Sequence, residues 1–568
     1  MTTPLPAARH RSEPTFAELF TPKLITVWRE GYGLDGLRAD ALAGLTVAIV
    51  ALPLSMAIAI GAGLSPERGL YTAIVGGFLI SLLGGSRFQI GGPAAAFIGL
   101  VAVTVERHGY DGLVLATVMA GLMLIVIGLL RLGTYIKYIP FPVTVGFTAG
   151  IAVIILFSQL RDLLGLTLVR EPADTLPKLA ALGQAIGTIN PVTVALSAFS
   201  IGAIVAIRHW RPHWPALLIA VVAATLAVFI FALPVDTIGS RFGTIQSGLP
   251  APAMPVFSWE KAREVFPAAI AIALLGAIES LLSAVVADGM SGRRHRSNSE
   301  LVAQGVGNVA AASCGGIPVT GTIARTATNI RAGARGPVAG ILHAVYLLIF
   351  VLVAMPLVAY VPLAALAGVL IVVAWGMADR TEFGLLLRTS PGDALVLLAT
   401  FLLTIFYDLL TGIGVGVLLG SFLFMHRMAE SIDVNGGPEL VPEDVADSAN
   451  NRSLYPDLDP RNVMVYRISG AFFFGATARV NIILDRVVNP PKAFVLDFSD
   501  VPFIDITAAA ALERFVKRLH KAGTEVVFAS VRPHVRHSFG LPGLRGRSVR
   551  FAPNVEKALL SLRTKYDA

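Results

Sequence analysis

Apolar residues along the chain gather into fourteen segments, at roughly 41–60, 69–85, 93–105, 112–130, 141–160, 190–207, 214–233, 266–288, 301–313, 318–330, 337–357, 362–377, 391–407 and 411–427. Several are shorter than the ~20 residues a full membrane crossing needs, most clearly 93–105 and 318–330. Each of these two opens on a glycine-proline break, Gly91-Gly92-Pro93-Ala94-Ala95-Ala96 and Gly315-Gly316-Ile317-Pro318-Val319-Thr320-Gly321. Pro93 and Pro318 lie 225 residues apart, as do the starts of the long apolar helices that precede them, near 41 and 266. Interruptions at matching places in two halves of a membrane chain point to a transporter binding site. Seven segments per half is an odd number, so the second half enters the membrane from the opposite side, which makes an inverted repeat. Beyond 427 the pattern changes: a polar stretch rich in Pro, Asp and Asn runs over 432–460. Strands are predicted at 463–468, 493–498 and 525–530, with a helix at 508–519, the alternation of a small α/β domain. The predicted fold is an all-α polytopic membrane domain of fourteen segments in a 7+7 inverted repeat, followed by that soluble domain.

Composition agrees with the pattern. The 568 residues are 55% hydrophobic and 14% charged, with a mean hydropathy of +0.72, more apolar than a soluble chain of this size can hide. The net charge of +8 does not indicate nucleic acid, because the basic residues are scattered through short loops. One set of loops carries Arg131, Lys137, Arg208, Arg211, Arg293, Arg294, Arg296, Arg331, Arg335, Arg380 and Arg388. The other set balances Arg107, Arg170, Lys178, Arg241 and Arg263 against Glu106, Asp111, Glu171, Asp174, Asp236 and Glu264. The positive-inside rule then places both termini in the cytoplasm. No small-residue cleavage site precedes the first span, so a cytoplasmic N-terminus is expected rather than a cleaved leader. The lone Cys314 excludes an internal disulfide.

Glycine and proline free the backbone from helical pairing, and such backbone must face protein or a wet cavity because lipid cannot pair it. A helix that begins there presents unpaired N–H groups and about half a positive charge, which favours an anion. Gly92 with Pro93 and Gly316 with Pro318 therefore mark two facing helix starts. One such break would leave an ordinary kink and a site equally open; two in register with the repeat read as a site. Glu279 lies near the middle of its span, where a charge costs ~2.5–3.5 kcal/mol on insertion scales. Ser283, one turn on, shares its face. Such a carboxylate points to coupling to protons or sodium, or else to a structural ion pair with Arg325, seven residues past Pro318. Asp288 and Asp408 fall near segment ends, and His343 reads as a packed histidine. The run Arg293-Arg-His-Arg296 reads as a topology anchor, with phospholipid head-group contact second. The close small residues of 141–150 read as helix packing. No metal-ligand spacing, nucleotide loop or nucleophile elbow is found in the membrane part, so neither an enzyme nor a cofactor is expected.

From about 36 to 560 the chain resembles the sulfate permease family of anion transporters. The resemblance rests on Ala51-Leu-Pro-Leu-Ser-Met-Ala57, Gly69-Leu-Tyr-Thr72, Gly85-Ser-Arg-Phe88 with Gly92-Pro93, and Ile278-Glu-Ser-Leu-Leu-Ser283. It continues through Asn298-Ser-Glu-Leu301, Gly305-Val-Gly-Asn308 and Thr322-Ile-Ala-Arg-Thr-Ala-Thr-Asn329. Within the family it looks most like the bacterial C4-dicarboxylic acid transporter branch, above all over 51–92 and 275–321. The resemblance implies core and gate domains that move past one another in an elevator-like manner, a homodimer and a bacterial inner-membrane location. It implies an anion site with Ala94, Ala95 and Ala96 on one side and Thr322, Ile323, Ala324 and Arg325 on the other, walled by Leu54, Ser55 and Ile58. Some relatives carry serine at the position of Ala324, so recognition here should lean on backbone N–H groups. Proton-coupled members have glutamate at the position of Glu279, and a sodium-coupled bicarbonate branch has aspartate. The C-terminal part resembles the STAS domain, on Val495-Leu-Asp-Phe-Ser-Asp-Val-Pro-Phe-Ile-Asp-Ile-Thr507. In anti-sigma relatives the position of Thr507 holds a phosphorylated serine; here Ile506 precedes it and the usual Ser-Gly context is missing, which favours a plain helix-start threonine over a regulatory phosphosite. A protein partner for this domain is implied.

The expected organisation is a cytoplasmic segment at 1–38, a transport domain at 39–430 (repeats at about 41–235 and 266–430), a linker at 431–460 and a STAS domain at 461–568. The expected function is proton-coupled symport of a C4-dicarboxylate such as succinate or fumarate, or of sulfate. The alternatives are an uncoupled exchanger or channel for sulfate, bicarbonate or chloride, and a membrane-anchored signalling protein with vestigial transport.

Overall fold

Glycine ends some of the helices, as at Gly165 and Gly292 in the left-handed region, while Pro53 and Pro267 lie inside theirs. The computed structural model describes residues 19–135, 138–168, 171–211, 214–243, 248–253, 255, 257–430, 433–436, 462–473, 491–539, 544 and 549–566. Residues 1–18, the loop cations Lys137 and Arg170, and the expected linker apart from 433–436 lie outside them. Two compact units divide the chain at Val417 and Leu418.

In the first unit a short helix α1 (Lys23–Arg29) leads into α2 (Leu34–Gly61). Helices Pro66–Tyr71 and Gly77–Leu83 follow, joined by a π turn over Thr72–Gly76. The first break is a two-residue strand β1 (Gly91–Gly92), followed by a 3₁₀ turn Ala95–Phe97 and α3 (Ile98–Leu129). Gly109, at φ 69° and ψ 178°, divides α3 into two helices, so the expected segments 93–105 and 112–130 are distinct. Helices Phe141–Leu164, Pro191–Trp210 and Ala216–Phe231 complete the first half.

The second half repeats the order. Helices α4 (Trp259–Ser291) and α5 (Ser297–Ser313) lead to a second short strand β2 (Thr320–Gly321), then to the nine-residue α6 (Ile323–Arg331) and to α7 (Val338–Val353). Helices Leu363–Met377, Pro391–Phe406 and Leu409–Glu430 close it. Among the described residues, seven helices are long and apolar enough to cross a membrane. Helices Thr175–Gln184 and Arg380–Thr389 occupy stretches that the hydrophobic pattern leaves as loops, because both are amphipathic rather than apolar throughout.

β1 and β2 pair antiparallel, Gly91 with Gly321 and Gly92 with Thr320. The backbone that each break frees is thus partly paired by the other, the solution that lipid surroundings require. Thr322 N donates to Ile90 O at 3.1 Å, and Ile90 N donates to Thr326 Oγ1 at 3.1 Å. α3 and α5 touch through small residues: a Cβ at Gly121 would meet Gly305 O at 2.7 Å, the close backbone approach expected of packed membrane helices.

The second unit, Leu418–Ala568, begins inside the last apolar helix, whose Met425, Met428 and Ala429 pack on its core. Its sheet has the order β3 (Asp433–Gly436), β4 (Val463–Ser469), β5 (Ala493–Asp500), β6 (Glu525–Ala529), β7 (Arg550–Ala552). Only the β3–β4 pair is antiparallel. Strands β4, β5 and β6 and the helix Ile506–Lys521 stand where the alternation predicts. The stretch expected to be a linker holds β3, and β7 with the helix Val555–Tyr566 was not anticipated.

Several side chains hold the second break: Thr72 Oγ1 pairs both N and O of Ile317, and Asn308 does the same for Val319. Asn308 Nδ2 donates to Val319 O at 2.7 Å, and Val319 N donates to Asn308 Oδ1 at 3.0 Å, all buried. Asn308→Ala leaves a buried N–H and C=O of Val319 unpaired, so a loss of roughly 2–4 kcal/mol of stability is expected. Thermal unfolding of purified protein in detergent reads it; an unchanged melting temperature would contradict this role.

Candidate functional site

The site is built where α6 starts. Its N-cap Thr322 sits at φ −104° and ψ 130° and makes no side-chain cap. The first N–H groups of α6 therefore have no intrahelical partner, and the buried Thr322 Oγ1 has none either. Ile323 is 39% exposed and Ala324 is also exposed, so this helix start is open on one side. Arg325, one turn in, is only 1% exposed. Its Nη2 donates to Ser55 Oγ and to Pro93 O, both at 3.2 Å. Nε and Nη1 have no hydrogen-bond partner.

Arg325 thereby joins α2, the first break and the second half-helix. A Cβ on Gly92 would collide with its guanidinium, so a side chain there would push Arg325 out of this position. Ala94, Ala95 and Ala96 are buried, and share an apolar cluster with Leu54 and Ile58 of α2. Of the residues named from the sequence, Ser55, Pro93 and Arg325 are thus in direct contact, and Leu54, Ile58 and Ala94–Ala96 pack around them. Gly316 and Pro318 stand further back, where Gly316 O accepts from Tyr110 Oη at 2.9 Å and Arg68 Nη1 donates to Gly315 O at 3.2 Å.

α4 brings up the acid. Thr320 Oγ1 donates to Gly276 O at 3.1 Å, which ties β2 to α4 one turn before Glu279. Glu279 is half-buried, and its buried Oε2 has no hydrogen-bond partner. No ion pair joins it to Arg325, although each acts electrostatically on the other. The alternative of a structural salt bridge is therefore not what the structure shows. Ser283 turns instead to the half-helix, where its Oγ donates to Thr326 Oγ1 at 3.2 Å. His343 is buried on α7 with both ring nitrogens unpartnered. Among the described residues no cluster of acids, histidines and cysteines could hold a metal.

Sequence reasoning passed over several residues of this frame. Asn308 lies in one of the quoted motifs but reads there only as a family mark. Gln89, whose buried amide has no partner, lies over Gly321, where a Cβ would strike it. Asn329 Nδ2 donates to Phe88 O at 2.9 Å, a further tie between α6 and the segment before the first break. Buried Glu300 accepts from Gly85 N at 2.9 Å, Ser86 N at 3.0 Å and Gln304 Nε2 at 2.8 Å. The usable signal for all four is a polar residue inside a small-residue helix or beside a glycine pair. In the second unit Thr507 is exposed in the first turn of its helix, which Asp505 caps through Ala508 N at 2.8 Å.

Residues 37–400 match the Sulfate permease family, and residues 458–558 match the STAS domain. "Putative sulfate transporter YvdB" of Bacillus subtilis is 38% identical over 520 residues, 91% of this chain and 95% of that protein. "Bicarbonate transporter BicA" of Synechocystis is 32% identical over 508 residues, 86% of this chain and 87% of that one. Among solved structures, murine solute carrier 26 family member A9 superposes with a TM-score of 0.85 over 98% of this chain and 96% of that chain. At 19% identity that likeness concerns the fold alone.

Replacing Arg325 removes the charge and both ties. Arg325→Ala is expected to cut isotope uptake into proteoliposomes by about tenfold or more while the protein still reconstitutes. Arg325→Lys is expected to rescue little, because an ammonium lacks the planar fork. Wild-type flux in either variant would remove Arg325 from the site.

Proposed function

The chain belongs to the sulfate permease family, with a STAS domain at its C-terminal end, and from that membership we propose that it is a proton-coupled symporter of a small divalent anion, sulfate or a C4-dicarboxylate. Anion transport through a multi-pass membrane domain comes with the family. The finer reading rests on one observation: Arg325 and Glu279 are held near one another in the membrane, each with unmatched polar atoms and without an ion pair between them.

The charges support a dianion. Two helix starts supply roughly half a positive charge each, and Arg325 adds one, so the local sum is about +2. An ionised Glu279 would lower this to about +1. Protonation of Glu279 therefore favours loading of the dianion, and release of the anion favours release of the proton, which is symport. The name of the Bacillus subtilis relative favours sulfate; the motifs over 51–92 and 275–321 favour a dicarboxylate. Glutamate in place of aspartate favours protons over sodium.

The hydrogen bonds support an elevator-like step. The two breaks are bonded to each other, to α2 through Arg325 and Ser55, and to α4 through Thr320. Opening the site by separating these pieces would expose paired backbone to lipid, so the seat is better moved whole. The reading extends to a homodimer in the inner membrane with both termini in the cytoplasm, and to a cytoplasmic protein partner of the STAS domain.

An imposed inward proton gradient on liposomes tests the coupling. Uptake of labelled sulfate or succinate is expected to follow the gradient in the native chain. In Glu279→Gln it should lose that dependence while anion exchange persists. Equal uptake with and without the gradient in the native chain would establish an uncoupled exchanger or channel instead.

A further inference from the structure

We propose that the cleft where α1 meets the start of α2 binds the phosphate group of an anionic phospholipid at the cytoplasmic surface. The apolar run of α2 begins near 41 although the helix itself starts at Leu34. Its first turns, and α1 just before them, therefore stand at head-group depth. At that level the structure exposes large apolar side chains: Ile25 at 42%, Trp28 at 77%, Leu34 at 73% and Leu37 at 42%. Ile25 and Trp28 are spaced i, i+3 on the outward face of α1, whose opposite face buries Val27. An aromatic ring with such neighbours suits the membrane interface.

Beside this apolar face lies an open cleft of about 560 Å³, lined by Gly31, Tyr32, Gly33, Asp35, Arg38 and Arg335 among others. Among the described residues no ion pair or hydrogen bond engages the guanidinium groups of Arg29, Arg38 and Arg335. Asp35 is the acid in the lining, and the nearby Glu30 is engaged by Arg87. Two guanidiniums thus face one exposed carboxylate, with the buried Asp40 behind them acting on Arg335.

The cleft is built, not merely left over. Asp40, fully buried, accepts from Arg335 N at 2.6 Å, from Gly336 N at 3.1 Å and from Tyr32 Oη at 2.5 Å. One carboxylate thereby fixes the loop that carries Arg335 against the turn that carries Tyr32 and Arg38. Burial, and then the Asp40 carboxylate, push the Tyr32 phenol above its usual range, so it stays a donor at physiological pH. Guanidinium forks are well matched to phosphate oxygens, and anionic lipid attracts basic residues at this depth. A soluble phosphate compound shares the head-group chemistry, but the exposed Ile25, Trp28 and Leu34 fit the lipid.

The test uses the full-length chain with Trp210, Trp214, Trp259 and Trp375 replaced by Phe, so that Trp28 alone reports. It is reconstituted in phosphatidylcholine bilayers that contain equal fractions of brominated phosphatidylglycerol or brominated phosphatidylcholine. Quenching by the brominated anionic lipid is expected to exceed that by the neutral one by about threefold or more. The Arg38→Gln, Arg335→Gln double variant should lose the excess. Equal quenching by the two lipids, or an excess that survives the double substitution, would overturn the proposal. Loss of the excess on adding inorganic phosphate at constant ionic strength would assign the cleft to a soluble phosphate and also overturn it. Should the double variant fail to fold, native mass spectrometry of the unsubstituted chain decides: preferential retention of phosphatidylglycerol supports the site, and equal retention of both lipids refutes it.

Discussion

The contact on which the rest depends is the guanidinium of Arg325 against the first glycine break. A helix that starts in mid-membrane leaves backbone groups unpaired, and hydrocarbon offers them nothing. Here each break is closed partly by the other, through Gly91 with Gly321 and Gly92 with Thr320. Arg325 then caps the junction by bonding Pro93 O and Ser55 Oγ. That geometry favours glycine at 92, because any side chain there would displace the guanidinium from its bonds. It also dictates charge, since a buried cation beside two helix starts is costly without an anion to answer it.

Outer ties make the seat a single object. Thr320 reaches α4, Thr326 takes both Ser283 and Ile90, and Asn308 closes the loop at Val319. Glu279 is placed on the same frame, with no ion pair to Arg325; in the proposed symport its protonation would change the field at the seat without breaking the frame. The proposed elevator-like step would move such an object whole against its neighbours.

Much of this was legible in the residues. The two breaks, their spacing, the short runs after them, and Glu279 and Arg325 as isolated charges all stand out against apolar surroundings. The helix starts came out later than the prolines suggest, at Ile98 after a 3₁₀ turn and at Ile323, because the extended strands need room before the helix can begin. The direct pairing of β1 with β2 was not legible: two residues on each side leave no periodic trace, and their partners are more than two hundred residues away. Asn308, Thr326 and Gln89 were passed over because a neutral polar residue in a small-residue helix reads equally as packing. In the soluble unit, strand β3 hides in a polar stretch; its four residues carry no alternation strong enough to mark it, and pairing with β4 decides it.

The most direct measurement is the position of the anion itself. Crystals of the full chain soaked with selenate, or with a bromo-substituted C4-dicarboxylate if that class is transported better, give an anomalous signal at the bound ligand. The expected peak lies between the start of α6 and the Ala94–Ala96 turn, within hydrogen-bond reach of the Arg325 guanidinium and of the first-turn N–H groups. A transported anion seated elsewhere in the membrane domain, with this junction unliganded, would contradict the assignment of the paired breaks as its seat.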